Sequence, residues 1–496
     1  MKFLRRLLPW IVIALAAALA FYLPDFGPEA YRDFESYFAN ERVRQGCVGY
    51  EIVVIKDGKV ALNKAFGFDG THQPLEIDTP LYIGPSSEIL TGFLLYQLSN
   101  EKRIELDTHL DFYLPEFAEI QGRLAGQKQT GAQLTLRMLA AHRVAFPERD
   151  LAMFTPSASG LEAGLPDPRF FLETHFPTQQ YTRSRLSYRI LAAAMERATG
   201  QSFPELLEQY ITIPLEMYVT TAKPSSIATI APGAGSFFGI AFPYREQLPF
   251  AAAASDGIVS SGADIAKFLR FLVAPRPGEA LPGMKPADIT NLYQPLYKDG
   301  DTAFGWRIGE IDGARLIYQG GSVKGYSSRI TIYPERNAAI AILCAQDGVI
   351  ISNFVLPALT AGAERILFGK VSTRLFPTRR MLILAAFAFT IYILSLFAQT
   401  LAAYAWARDL LKYRESNLSQ LYARFAYLRT ILGILCRIAA VALAPTALSM
   451  LSGRAITLGD IFSFEPGFAT IFMGCMLFGS LRNISRLVWH ARLRRQ

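Results

Sequence analysis

The chain has 496 residues, a formal net charge of +8 and 51% hydrophobic residues. Its mean hydropathy of +0.21 is high for a water-soluble protein of this size and therefore indicates membrane segments. Four cysteines are too few for a disulfide scaffold, and they form no CxxC pair and no cluster with histidine. The five histidines are scattered and include no HExxH motif, so we expect neither a metal site nor a cofactor.

The positive charge lies at the two ends of the chain. Lys2, Arg5 and Arg6 open the sequence, and between Arg374 and the C-terminus fifteen Lys and Arg stand against four Asp and Glu. The middle of the chain is consequently mildly acidic. Basic residues that flank apolar segments are typical of membrane proteins rather than of a phosphate-binding face, so we expect no nucleic-acid partner.

Residues 1–24 form the first apolar segment. A basic start precedes the almost wholly apolar run Leu7–Leu23, and Ala18-Leu19-Ala20 resembles a cleavage site. The segment is either a signal peptide or an uncleaved anchor, and the sequence leaves both open. Either one predicts export of the chain that follows Pro24.

Residues 31–368 are predicted to form one large exported domain. Alternating and helical hydrophobic patterns predict strands near both ends and helices in the middle. The predicted strands are Val48–Ile55, Val60–Phe66, Gly305–Ile311, Ala314–Gln319, Ser327–Pro334 and Ala338–Cys344. The predicted helices are Tyr31–Arg44, Ile89–Leu98, Thr135–Ala141, Leu186–Thr199, Phe203–Tyr210 and Gly262–Leu272. This order predicts an α+β domain whose terminal strands share one antiparallel sheet. Cys47 and Cys344 both fall on this sheet, either as a disulfide or as two buried free thiols.

Three further apolar runs, at 381–407, 430–451 and 467–488, are predicted transmembrane helices. The loop Arg408–Arg429 and the tail Arg482–Gln496 are basic, which places both in the cytoplasm. The protein is thus predicted in a bacterial inner (cytoplasmic) membrane, with its large domain facing the periplasm or the cell exterior. Arg437 lies inside the second of these runs, near its cytoplasmic end, where its side chain can snorkel to the surface.

Several sequence blocks in the exported domain resemble the serine β-lactamase-related family, which includes class C β-lactamases, DD-peptidases and esterases. They are colinear over residues 31–368 and include YIGPSSEILTGFLLYQLSNEKRIELD, LAAAMERATGQSFPELLEQY and YQGGSVKGYSSRITIYPE. The resemblance implies a β-lactamase/transpeptidase-like domain, with an antiparallel sheet and a helical subdomain. The export signal and three C-terminal spans also resemble the layout of membrane-bound prodrug-activating peptidases.

The family resemblance implies three catalytic motifs, and this sequence departs from all of them. The SxxK motif, with a Ser nucleophile and a Lys one turn later, is replaced by Pro85 and Glu88. The YxN motif is replaced by Arg183 and Arg185, and the Lys or His of the strand motif by Gln319. Pro85 has neither a hydroxyl nor an N–H group, and Arg183 cannot replace a tyrosine as a base. The block His142–Pro147 is altered as well.

All three catalytic motifs are altered, although the sequence blocks between them still resemble the family. This combination predicts a catalytically inactive homologue that binds a ligand or regulates a partner. The ligand would be a cell-wall or secreted peptide, bound by Glu88, Arg183, Arg185, Gln319 and Lys324. In this hypothesis Glu88 pairs with one arginine and the other holds an anionic group; alternatively, the charges only satisfy each other. A partner membrane protein could bind the three spans, since anchoring needs only one.

The rival hypothesis is an active serine peptidase or esterase with a displaced nucleophile, Ser86 or Ser87. Neither serine has a lysine three residues later, because those positions hold Ile89 and Leu90. A 100° rotation per helical residue also turns each hydroxyl away from the nucleophile position.

Overall fold

The computed structural model describes residues 28–118, 134–144, 146, 181–227, 229–237, 239–244, 252–311, 313–411, 417–452 and 466–495. The predicted signal segment, residues 1–24, lies outside them. The chain divides into two compact units. One contains the sheet domain as far as Phe376, and the other contains the long apolar helices from Pro377 onward.

The strands, numbered in chain order, are β1 Ala30–Tyr31, β2 Gly49–Lys56, β3 Lys59–Gly67, β4 Leu81–Tyr82, β5 Ala234–Phe237, β6 Ile240–Pro243, β7 Val259–Ser260, β8 Arg307–Ile311, β9 Ala314–Val323, β10 Tyr326–Tyr333, β11 Ala338–Cys344 and β12 Ser372–Thr373. The sheet domain's helices are α1 Phe34–Gln45, α2 Ser87–Asn100, α3 Leu110–Tyr113, α4 Leu136–Ala140, α5 Arg185–Thr199, α6 Phe203–Leu207, α7 Gly262–Val273, α8 Ile289–Leu292 and α9 Leu356–Leu367. The apolar unit contains α10 Thr378–Leu401, α11 Ala403–Leu411, α12 Asn417–Ser452 and α13 Pro466–Arg495.

Six strands form the main sheet in the order β3-β2-β11-β10-β9-β8, and every neighbouring pair is antiparallel. Strands from both ends of the domain therefore share one sheet, which confirms the predicted α+β fold. β9 runs four residues beyond the predicted strand, to Val323, and Pro334 begins a 3₁₀ turn instead of ending β10. Tyr31 belongs to the short strand β1, paired with β12, because α1 begins only at Phe34 behind its N-cap Asp33.

The sheet is covered on both faces. On β2, Val53 and Ile55 face a core shared with the helices of the middle region, whereas Tyr50, Ile52 and Val54 face a second core against α1 and α9. Burial on both faces explains why β2 reads as an unbroken apolar run. The first of these cores holds α2, the helix that follows Pro85, against the sheet.

Cys47 and Cys344 are free thiols, and both are buried. The hydrogen bond to the Cys47 thiol and burial raise the pKa of Cys344 well above its usual value. Of the two alternatives that the sequence left open, the structure contains the pair of free thiols.

Glu51 is a fully buried carboxylate on β2. One of its oxygens accepts a hydrogen bond from the N–H of Gly262 at the start of α7, and the other has no partner among the described residues. Burial raises the pKa of this carboxyl well above its usual range, with the Gly262 N–H acting in the opposite direction. The folded state therefore keeps a proton that the unfolded chain releases at lower pH.

Substitution of Glu51 by glutamine should remove a pH dependence of stability. Above the ordinary carboxyl pKa of about 4.3, the wild-type stability should fall as the pH rises toward the folded-state pKa, by up to about 1.4 kcal/mol per pH unit. The variant should lack this slope, so its advantage over wild type should increase from pH 4 to pH 7. Urea unfolding at a series of pH values, followed through the fluorescence of buried Trp306, measures the free energy of unfolding of both proteins. Parallel pH profiles for the two proteins would contradict the assignment.

Candidate functional site

Glu88, Arg183 and Gln319, which the sequence analysis predicts at three separate motifs, come together at the N-terminus of α2. A 3₁₀ turn, Gly84–Ser86, leads into the helix, with Pro85 in the first turn, where proline's missing N–H costs no hydrogen bond. β9 approaches this turn so closely that a Cβ on Gly321 would lie 2.9 Å from Cγ of Pro85. The Pro85 ring is therefore packed closely against β9 at the start of α2.

Glu88 is the centre of the site. Its carboxylate is fully buried, and both oxygens are bonded. Oε1 lies 2.7 Å from Nη2 of Arg183, whereas Oε2 accepts hydrogen bonds from Nε2 of Gln319 at 2.8 Å and of His142 at 3.2 Å. Positions 88, 183 and 319, which come from three separate motifs, thus meet at one carboxylate. The pairing of Glu88 with one arginine is present in the structure.

His142 is a member of this cluster that the sequence analysis missed. The backbone N–H of Ser184 donates to Nδ1 at 3.3 Å, so the imidazole carries its hydrogen on Nε2 and donates it to Glu88. Both ring nitrogens are therefore engaged, and neither is left to deprotonate a serine. The sequence feature that could have indicated His142 as a site residue is its position at the start of the altered block His142–Pro147.

A second carboxylate, Asp256, lies beside the guanidinium groups of Arg183 and Arg189 and adds a negative charge to the cluster around Glu88. Its oxygens lie 3.5 Å from Nη2 of Arg183 and 4.0 Å from Nη2 of Arg189, and it accepts a hydrogen bond from Ser255. Two carboxylates and two guanidinium groups thus sum to zero charge. Such mutual compensation is what buried charges require. The sequence analysis also missed Asp256 and Arg189, because no spacing pattern connects either residue to Glu88.

Two tyrosines contact the cluster, but neither is suited to act as a base. The ring of Tyr188 lies 5.0 Å and that of Tyr181 5.4 Å from the ring of His142. Burial raises the pKa of both phenols; the negative charge of Glu88 raises the pKa of Tyr188 further, whereas the positive charge of Arg183 partly opposes the rise at Tyr181. Both side chains therefore stay protonated at neutral pH.

The fallback nucleophiles Ser86 and Ser87 are both fully buried. Ser328 donates its hydroxyl hydrogen to the carbonyl of Ile83 at 2.6 Å, so the 2.7 Å contact between Ser86 and Ser328 has Ser86 as donor. The Ser87 hydroxyl accepts from the N–H of Ile258 at 3.1 Å. Both hydroxyls thus take part in hydrogen bonds that hold α2 in place.

The other two predicted ligand residues lie on neighbouring elements. Arg185 is the half-buried first residue of α5, and Lys324 lies in the β9–β10 turn with Nζ 5.0 Å from the ring centre of Tyr244. Arg183 keeps 28% of its side chain exposed, in contrast to buried Glu88 and Gln319. Among the described residues, no group of three or more His, Cys, Asp or Glu side chains is arranged to hold a metal ion.

Comparison with known proteins supports the same fold. Protein flp of Staphylococcus aureus (strain MW2) is 22% identical over 313 residues, which cover 60% of this chain and 59% of the relative. A D-aminopeptidase of Brucella anthropi is 28% identical over 332 residues, covering 64% of this chain and 60% of the enzyme. This chain therefore spans about three fifths of the length of these relatives.

Two solved structures show the same fold. The octameric penicillin-binding protein homologue from Pyrococcus abyssi has a TM-score of 0.54 at 21% identity, covering 68% of this chain and 77% of its own. The D-alanine carboxypeptidase AmpC from Burkholderia cenocepacia has a TM-score of 0.52 at 17% identity, and the match covers 67% of this chain and 96% of the carboxypeptidase chain.

The model of the Beta-lactamase family matches residues 34–358, which is most of the sheet domain. Because this match covers more than half of the chain, the chain belongs to the Beta-lactamase family, which is related to serine hydrolases.

Proposed function

We propose that this protein is a membrane-anchored, catalytically inactive member of its family that binds a peptide without cleaving it. The single observation that supports this most strongly is Pro85 at the nucleophile position. A proline provides no hydroxyl to attack with and no backbone N–H for an oxyanion, and one such donor contributes roughly 3–4 kcal/mol of transition-state stabilisation. The charge at position 88 is also opposite to that of the lysine in the family motif.

The alternative, an active peptidase or esterase, would need Ser86 or Ser87 as nucleophile. Both hydroxyls are buried, and Ser86 donates to Ser328 while Ser87 accepts from Ile258. His142, the histidine of the cluster, has both ring nitrogens engaged in hydrogen bonds. These contacts favour the inactive form over the displaced nucleophile.

The proposed ligand is a peptide with a free carboxylate. Glu88 and Gln319 are buried and hold the cluster together, whereas Arg183, Arg185 and Lys324 are each partly exposed cations. Guanidinium groups bind carboxylates through paired hydrogen bonds, so these side chains suit an anionic peptide end. In the same proposal the sheet domain faces the periplasm or cell exterior, where cell-wall and secreted peptides occur.

Calorimetric titration of the full chain in detergent tests the proposal. Short peptides with a free C-terminal carboxylate should bind roughly tenfold more tightly than the same peptides with a C-terminal amide, a difference of about 1.4 kcal/mol. Arg185→Gln and Lys324→Gln should remove that preference, and mass spectrometry should recover the peptide intact. Cleaved peptide, or equal affinity for acid and amide, would contradict the proposal.

A further inference from the structure

In the part of the apolar unit that the structure describes, three helices are long and apolar enough to span a membrane, and their candidate spans are Thr378–Leu401, Arg424–Ala444 and Ala469–Leu493. Each predicted transmembrane run overlaps one of them, although the first run, 381–407, is divided between α10, which ends at Leu401, and α11, which begins at Ala403. Aromatic side chains gather at one end of these helices: Trp489 packs against Tyr404, and Tyr427 lies 5.4 Å from the ring of His490. Such aromatic groups typically mark a membrane–water interface.

Two arginines lie well inside this aromatic end. Counted from the contact between Tyr427 and His490, Arg437 lies ten residues along α12 and Arg482 eight residues along α13, which is about 15 Å and about 12 Å. The helices α12 and α13 contain no Asp or Glu at all. The two positive charges are therefore located at a depth where an uncompensated charge is costly.

The spans bring these two arginines together. A Cβ on Gly479 of α13 would lie 2.5 Å from Nε of Arg437 on α12. Arg437 thus packs across the glycine that lies one turn before Arg482. Its Nη1 donates to the carbonyl of Gly433 at 2.9 Å, so the guanidinium extends toward the aromatic end.

The described partners of both arginines are neutral. Arg482 donates to the amide oxygens of Gln399 at 3.2 Å and Asn483 at 3.3 Å. Buried Asn483 in turn donates to the carbonyl of Thr430 at 3.1 Å, which ties α13 to α12. The described ion pairs include neither Arg437 nor Arg482. Neutral oxygens orient the two guanidinium groups and leave their charge uncompensated.

We propose that Arg437 and Arg482 form a binding site for the phosphate group of an anionic phospholipid, with Gln399 and Asn483 as the positioning side chains. Both arginines are partly exposed, so a ligand can reach them from the bilayer. The site lies toward the aromatic end, where Arg424, Arg429 and Arg492 add further positive charge. Basic pockets between spans at the cytoplasmic side are suited to anionic headgroups, and that leaflet is rich in anionic lipid. A lipid therefore fits better than an acidic partner helix, which would have to enter the bundle.

Native mass spectrometry of the full chain released from detergent tests this site. The probes are phosphatidylglycerol and phosphatidylcholine with identical acyl chains. Wild type should retain phosphatidylglycerol in a saturable way and should not retain phosphatidylcholine. Arg437→Gln/Arg482→Gln should weaken the retention about tenfold or more, since charge-assisted hydrogen bonds are lost. The matched control is Arg424→Gln, which removes an exposed arginine from the same helix α12 and should leave retention unchanged.

Three results would overturn the proposal. One is equal retention of the two lipids by wild type, and another is equal retention of phosphatidylglycerol by wild type and the double variant. The third is displacement of the lipid by millimolar inorganic phosphate, which would identify a free anion as the ligand. If the double variant does not fold, the melting temperature of wild type in phosphatidylcholine nanodiscs decides: it should rise and saturate as phosphatidylglycerol is added, and no rise would refute the site.

Discussion

Replacing Arg183 with methionine should lower the free energy of unfolding of the sheet domain by about 3 kcal/mol. The reason is that Glu88 is fully buried and would keep only the neutral donors His142 and Gln319. Removing one member of a buried ion pair leaves the other charge desolvated and unpaired, which costs more than the pair itself contributes. Urea unfolding followed by the fluorescence of Trp306 measures the change.

Arg137 provides a matched control for Arg183. Its side chain is also 28% exposed, but its partner Asp107 is 73% exposed, whereas Glu88 is buried. Arg137→Met should therefore cost at most about 1 kcal/mol. The additional change Glu88→Gln should restore most of the stability of Arg183→Met, because no buried charge then remains unpaired. Equal losses in Arg183→Met and Arg137→Met would contradict the role assigned to Glu88.

Changing Gly92 to alanine should also destabilise the domain, by about 3 kcal/mol, although alanine is the better helix former. Gly92 lies on α2, and a Cβ at this position would be 2.4 Å from the backbone carbon of Phe304. A Cβ on Gly305 would likewise lie 2.1 Å from the carbonyl oxygen of Glu88. The segment 304–305 is thus pressed against two successive turns of α2.

The half-buried Ser99 lies on the same helix and serves as the control. Ser99→Ala should change the free energy of unfolding by less than about 0.5 kcal/mol. A wild-type-like melting curve for Gly92→Ala, measured in the same experiment, would show that the 304–305 segment can move and is not required to position Glu88.

The sheet and most helices of this protein are predictable from sequence because their patterns are local. β2 and β3 follow from an Asp57-Gly58 turn between apolar runs, and α7 follows from its apolar periodicity. The short pairing of β1 with β12 is not predictable in this way, since it joins residues more than 300 positions apart. Its formation turns Tyr31 into a strand residue, although the pattern predicts helix there.

In the candidate site, too, some residues are predictable from sequence and others are not. Glu88, Arg183 and Gln319 could be placed together because each occupies a motif position of a family with known order along the chain. His142 and Asp256 could not, because their roles depend on hydrogen bonds set by the backbone of Ser184 and by the side chain of Arg183. No local pattern around Asp256 distinguishes a buried charge partner from an ordinary polar residue.

Covalent labelling tests whether Pro85 leaves this domain without a usable nucleophile. The full chain in detergent is exposed to a fluorophosphonate and to a labelled β-lactam, and its intact mass is measured beside that of an active family member. A Pro85→Ser/Glu88→Lys variant, which restores both residues of the SxxK pattern, is treated in parallel. We expect an unchanged mass for the natural chain under conditions that label the active enzyme fully. A stoichiometric adduct on the natural chain that disappears in Ser86→Ala or Ser87→Ala would contradict it and identify an enzyme with a displaced nucleophile.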